Sequence, residues 1–200
     1  MKKFVSALLT CASQLMSNAY ADEMTVFGIP FAQNFSLPEC KKGLPGRKAG
    51  LDVGATKVVC YYRWKGMDPG PPVNTVTSIY FPRDDAPDIS KNGMVGATII
   101  DGRLEGIGFY TRGVDDANAV LTKLTEKYGA PTTKVPHVVP SSIGASYTVF
   151  DATWIKPNIE VRFQSMYGAS DTGHVSIRTP KAIERDNRLR EEHAKDRLPL

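Results

Sequence analysis

Histidine, tryptophan and cysteine are scarce in this chain: 200 residues carry three, two and three of them. His137, His174 and His193 lie far apart without ligand spacing, which argues against a transition-metal centre built by the protein. There is no Cys-x-x-Cys pair, the usual redox-active dithiol arrangement. A long apolar run is lacking too, for the best stretch, residues 4–12, is about nine residues long, whereas crossing a bilayer takes roughly 20. Neither sign of charge dominates: the formal net charge is +4, too little for the concentrated positive field that non-specific binding to nucleic acid or anionic lipid needs. Gly50, Gly54 and Lys57 do not have the spacing of a phosphate-binding P-loop. No cofactor, metal or nucleic-acid partner is therefore expected.

What is present begins at the N-terminus. Lys2 and Lys3, the apolar run over 4–12, and Ala19-Tyr20-Ala21 before Asp22 have the tripartite layout of a secretory signal. Cleavage there leaves residues 22–200, lowers the formal charge from +4 to +2 by removing the two lysines, and predicts a periplasmic or secreted protein with no transmembrane segment. It also leaves two cysteines, Cys40 and Cys60. An even pair in an oxidising compartment is normally a disulfide, and closing a loop of this length contributes roughly 3 kcal/mol in the chain-entropy model.

Texture divides the remaining chain. Residues 24–57 are rich in glycine and proline and predict loops with short extended pieces such as 24–27. Strands are expected at 58–64 and 73–81, separated by Asp68-Pro69-Gly70-Pro71-Pro72, where proline donates no ladder hydrogen bond. Asp101-Gly102 between the apolar runs 97–100 and 103–111 predicts a hairpin, since both turn positions favour positive φ. A helix over about 115–128 follows, with Asp115 as its N-cap, Ala117, Val120, Leu121, Leu124 and Tyr128 on one face, and Gly129 and Pro131 as its stop. Segments 147–155, 159–165 and 173–179 then read as an antiparallel meander. In it Ile159, Val161, Phe163, Val175 and Ile177 point inward while Glu160, Arg162, Gln164, Ser176 and Arg178 point outward. Residues 181–197 carry six positive and five negative charges and few apolar residues, the composition of a solvated or partner-docking helix.

Gly102-Arg103-Leu104-Glu105-Gly106-Ile107, the helix ending Lys127-Tyr128-Gly129-Ala130-Pro131-Thr132, Trp154 and the strand over 173–179 together resemble the hairpin, helix and meander arrangement of small exported bacterial proteins without an assigned activity. The resemblance covers roughly residues 73–180. It implies an α+β fold and an envelope location, and it implies no catalytic residue.

Candidate sites are few. Lys41, Lys42, Arg47 and Lys48 give the Cys40–Cys60 loop a basic bias suited to an anionic group. Nucleophilic catalysis needs a nucleophile beside a base that a third group holds, and His174 with Asp171 and Ser176 is the local cluster of those types, set against a strand whose alternate positions face water. Asp84, Asp85 and Asp88 lack the ligand ladder and glycine placement of a calcium loop. Tyr61, Tyr62 and Trp64 sit at strand spacing and read as core. The outward residues Glu160, Arg162, Gln164, Ser176 and Arg178, with Arg188 and Arg190 on the charged tail, offer polar groups suited to a specific protein interface.

The expectation is an α+β protein with three parts: a signal peptide over 1–21, one domain over 22–180 and a charged helical tail over 181–200. In the domain an antiparallel sheet packs on one main helix and a disulfide staples the loop-rich N-terminal part. The expected work is non-enzymatic binding of an envelope or secreted protein in an inhibitor, immunity or assembly role. A carrier using an apolar pocket among Phe109, Trp154 and Phe163, or an envelope hydrolase around His174, stand as alternatives.

Overall fold

The computed structural model describes residues 24–41, 57–140 and 146–195. After a two-residue-armed hairpin, β1 (Thr25–Val26) and β2 (Ile29–Pro30), come β3 (Cys60–Tyr62), β4 (Thr75–Tyr80), β5 (Met94–Ile100) and β6 (Arg103–Thr111). Helix α1 (Ala117–Tyr128) is followed by β7 (Thr133–Pro140), β8 (Ser146–Ile155), β9 (Glu160–Gln164), β10 (Gly173–Arg178) and helix α2 (Pro180–Lys195). Strands β3 to β10 form one eight-stranded antiparallel sheet in the order β3-β4-β5-β6-β10-β9-β8-β7. Two meanders thus meet at the centre, where β6 pairs with β10, and α1 carries the chain from the centre to the far edge. The fold is α+β with the expected disulfide: Cys40 and Cys60 are bonded and packed with Tyr80, Tyr62 and Met94.

The alternation read in the sequence decides the layers. On the inner face Ala97, Ile107, Ile177, Val161 and Trp154 follow one another across five strands and are all buried. Ala117, Val120, Leu124 and Tyr128 of α1 cover them, beside Val26, Ile29, Phe31 and Phe35 of the N-terminal segment. Burying an aliphatic or aromatic side chain of this kind is worth about 1.5–3 kcal/mol, so the core face fixes the register of the strands: a slip by one residue would put Arg162 or Arg178 inside.

Turn chemistry follows the sequence at Asp101 (φ 51°) and Gly102 (φ 73°), the two positive-φ positions of a tight hairpin. The start of α1 differs from the expectation. Asp115 lies inside a short 3-10 turn, Gly113–Asp116, and Asp116 occupies the cap position without a side-chain cap bond. The Asp116 carboxylate instead meets Arg112 Nε at 2.6 Å. Gly113 (φ 67°) wedges this turn under the loop before β10, where a Cβ would fall on the Ser170 carbonyl, and Val114 N–H donates to that same oxygen at 2.9 Å.

Two further differences concern the edges. Trp64 is not core: it is 48% exposed and stands against Tyr62, centroids 4.6 Å apart, beyond the end of β3 where the ladder no longer holds it in. Strand β7 is an additional element with nearly every residue exposed. Its prolines explain how an open edge is kept from pairing. Phe150 directs both its N–H and its C=O to Ser165 of the β9 side, so Pro136, its register partner, turns its own backbone toward the open edge. Pro140 shares that phase, and neither offers an N–H to an incoming strand.

Candidate functional site

Helix α2 begins with Thr179-Pro180, a cap residue before a proline at the first helical position. Thr179 Oγ1 accepts the Ala182 N–H at 3.3 Å and donates to Glu105 Oε2 at 2.6 Å, while Thr179 N–H donates to the Glu105 carbonyl at 2.9 Å. The helix is thereby pinned near the start of β6 and folds back over the outer face. Ala182, 1% exposed, sits on Gly106, where a Cβ would come 3.8 Å from its own and 3.0 Å from that of Thr98. Lys181 bonds Asp101 at 2.6 Å and Arg178 bonds Asp186 at 3.1 Å. As its composition demands, α2 is polar elsewhere; it is held by these few contacts rather than by a broad apolar stripe.

The register draws the expected interface residues together. One line across the outer face reads Ser78, Gly96, Gly108, Ser176, Arg162, Thr153, its centre made of glycine and serine. On either side of it lie His174 with Gln164, and Arg178 with Glu160. Between this floor and α2 runs a groove of about 340 Å³ whose walls include Arg162, Gln164, Tyr167, His174, Arg178 and Arg190. On the other flank of α2 a second groove, of about 610 Å³, has Ile155, Ile159 and Ile183 along it and Lys156, Glu184, Arg188 and Glu191 around it. Helix α2 is thus a ridge between a polar and a largely apolar groove.

Electrostatics assign different roles to the outward residues. Arg178 is 13% exposed at its side chain and bridges Glu160, at 2.7 Å, to Asp186, so it is a strut for α2 rather than a free recognition group. Burial opposes ionisation of Glu160, yet the Arg162 and Arg178 guanidiniums outweigh it and hold its carboxyl below the usual range. Arg162 lies half exposed with Nε 2.8 Å from Glu160. Arg190 is exposed and without an ion-pair partner among the described residues. His174 forms a triangle of tilted rings with Tyr110 and Tyr167, centroids 5.4 and 5.1 Å away and the two tyrosines 6.0 Å apart, and burial, with Arg178 adding to it, pushes its pKa down.

The remaining candidates are not assembled. The Asp171 carboxylate is bound by Lys91 at 2.9 Å and by the Thr172 hydroxyl at 3.0 Å, so the acid that would orient His174 toward Ser176 is engaged elsewhere. Asp88 pairs with Lys123 and not with Asp84 or Asp85, and among the described residues no group of three or more His, Cys, Asp or Glu side chains is arranged to hold a metal. Phe109, Trp154 and Phe163 are buried within the core and themselves fill the space between α1 and the sheet. Lys41 is exposed beside the disulfide; Lys42, Arg47, Lys48 and the segment 1–21 expected to be a signal peptide lie outside the described residues.

Tyr110, Tyr167, Asp186 and the glycine floor belong to the site and were not expected from the sequence. Gly106, Gly108 and Tyr110 occupy alternate positions of a strand whose other positions include Ile107 and Phe109, a legible sign that this face leaves room for something; Tyr167, in an irregular loop, carries no such sign. No protein-family model, curated protein or solved structure matches the chain. No helix among the described residues is long and apolar enough to cross a membrane.

Proposed function

We propose that this is an exported, non-enzymatic binding protein of the cell envelope, that its working surface is the outer sheet face with α2, and that its partner is another protein. The observation that carries the reading is the ridge: a sixteen-residue helix, about 24 Å long, with a polar groove on one flank and an isoleucine-floored groove on the other. Such a profile suits an extended complementary surface with mixed chemistry, as protein interfaces have, better than an enclosed small-molecule pocket. The disulfide is compatible with an oxidising compartment.

The test is site-specific photo-cross-linking in intact cells, from Asn187 on the ridge and from Val135 on the proline-guarded edge. The expected result is an adduct of defined mass from position 187 alone, lost when Ala182→Arg lifts α2 from Gly106. Adducts from neither position, or equally from both, would overturn the reading.

A further inference from the structure

The polar groove between α2 and the sheet holds cationic donors that the protein itself does not use up. Arg162 and Arg178 share Glu160, Asp186 is engaged by Arg178, and Arg190, on the helix wall, has no ion-pair partner among the described residues. Three guanidiniums therefore face two carboxylates. In addition, Arg178 Nε is buried with no hydrogen-bond partner among the described residues, a donor whose desolvation they leave uncompensated. Ser176, Gln164 and Tyr167 add neutral polar groups, and Gly108 keeps the floor low between them, whereas Gly106 is covered by Ala182.

We propose that this groove receives an acidic segment of the partner polypeptide, with its carboxylates meeting Arg162 from the sheet wall and Arg190 from the helix wall. This rests on the reading of the outer face as a protein-binding surface and names what that surface recognises. The donors do not converge on one point. From His174 to Arg178 the site extends over four residues of strand, about 13 Å, and the two exposed arginines belong to opposite walls, which fits a chain passing between them rather than a single small anion. The surplus of positive charge in a half-enclosed groove selects for acidic sequence and steers its approach.

The experiment is fluorescence anisotropy of the purified protein with fluorescein-labelled hexaglutamate, beside labelled hexaglutamine, with inorganic phosphate as competitor. Saturable hexaglutamate binding is expected, weakened by added salt and by about tenfold in Arg162→Ala/Arg190→Ala, since each partly exposed pair contributes modestly. Hexaglutamine should not bind. Neither arginine holds the core, and an unchanged circular dichroism spectrum and urea midpoint check that the double variant is folded. Equal binding of hexaglutamine, binding indifferent to the two arginines, or no hexaglutamate binding would overturn the proposal. Displacement by phosphate at equal concentration would also overturn it, making the site one for a small anion. An intact cross-link from position 187 alongside any of these results would leave the protein-binding reading standing while this one falls.

Discussion

One hydroxyl should control the attachment of α2. Thr179→Val preserves shape while removing both the acceptor for the Ala182 N–H and the donor to Glu105. Loss of a helix N-cap costs about 1 kcal/mol, and loss of a hydrogen bond to a carboxylate about 2 kcal/mol. Glu105, 5% exposed, keeps only Arg103 Nε at 3.3 Å, so the two losses act on one buried junction and come to about 3 kcal/mol. With a urea slope of about 2 kcal/mol per molar for a chain of this size, the unfolding midpoint followed by circular dichroism should fall by roughly 1.5 M. Thr179→Ser keeps both bonds and should stay within about 0.5 kcal/mol of the parent. Hydrogen exchange at Ala182 and Ile183 should quicken in the valine variant. A midpoint unchanged by valine, or equally lowered by serine, refutes the idea that this hydroxyl pins the helix.

Two other outcomes follow from the geometry. Replacing both Cys40 and Cys60 by alanine opens a link between residues 20 apart and should cost about 3 kcal/mol, measured by denaturation; a loss below about 1 kcal/mol would mean that the buried Tyr80 cluster holds the N-terminal segment without it. His174 titrates in the folded protein below its ordinary value of 6.5, so the unfolded chain takes up the proton first as pH falls. Stability should then decline from about pH 6.5 downward and be unaffected above it. His174→Gln should remove that part of the slope, and identical pH profiles for the two proteins would refute the assignment.

The sequence was most legible where a local rule and the global fold agree. Asp101-Gly102 fixes a hairpin by backbone sterics alone, and the alternation of Val161 and Phe163 with Arg162 and Gln164 marks a half-buried strand without knowledge of its neighbours. β7 escaped notice because Pro136 and Pro140 argue against a strand unless their neighbours show that they face an open edge. The N-cap assigned to Asp115 moved by one residue because Gly113 must fit against Ser170, a contact from a distant loop. The outward residues of β9 and β10 were legible as a polar face, whereas the role of Arg178 was not: local pattern makes it a recognition group, and only the return of α2 through Asp186 makes it a strut. Thr179-Pro180 did carry a readable start signal for α2, but nothing in the charged tail itself says that its first turn lies on Gly106.

The pairing of β6 with β10 also sets the timing of folding. Thr111 waits for Gly173 and Gly106 for Arg178, so the central seam of the sheet closes only when nearly the whole chain is present, and a contact this distant in sequence is slow to form. Until then β6 is an unpaired margin bearing Ile107 and Phe109. The segment 173–179 supplies both the missing strand and, through Thr179, the latch laid across it. Truncation anywhere before β10 should therefore leave a collapsed, adhesive half-sheet rather than a smaller folded protein.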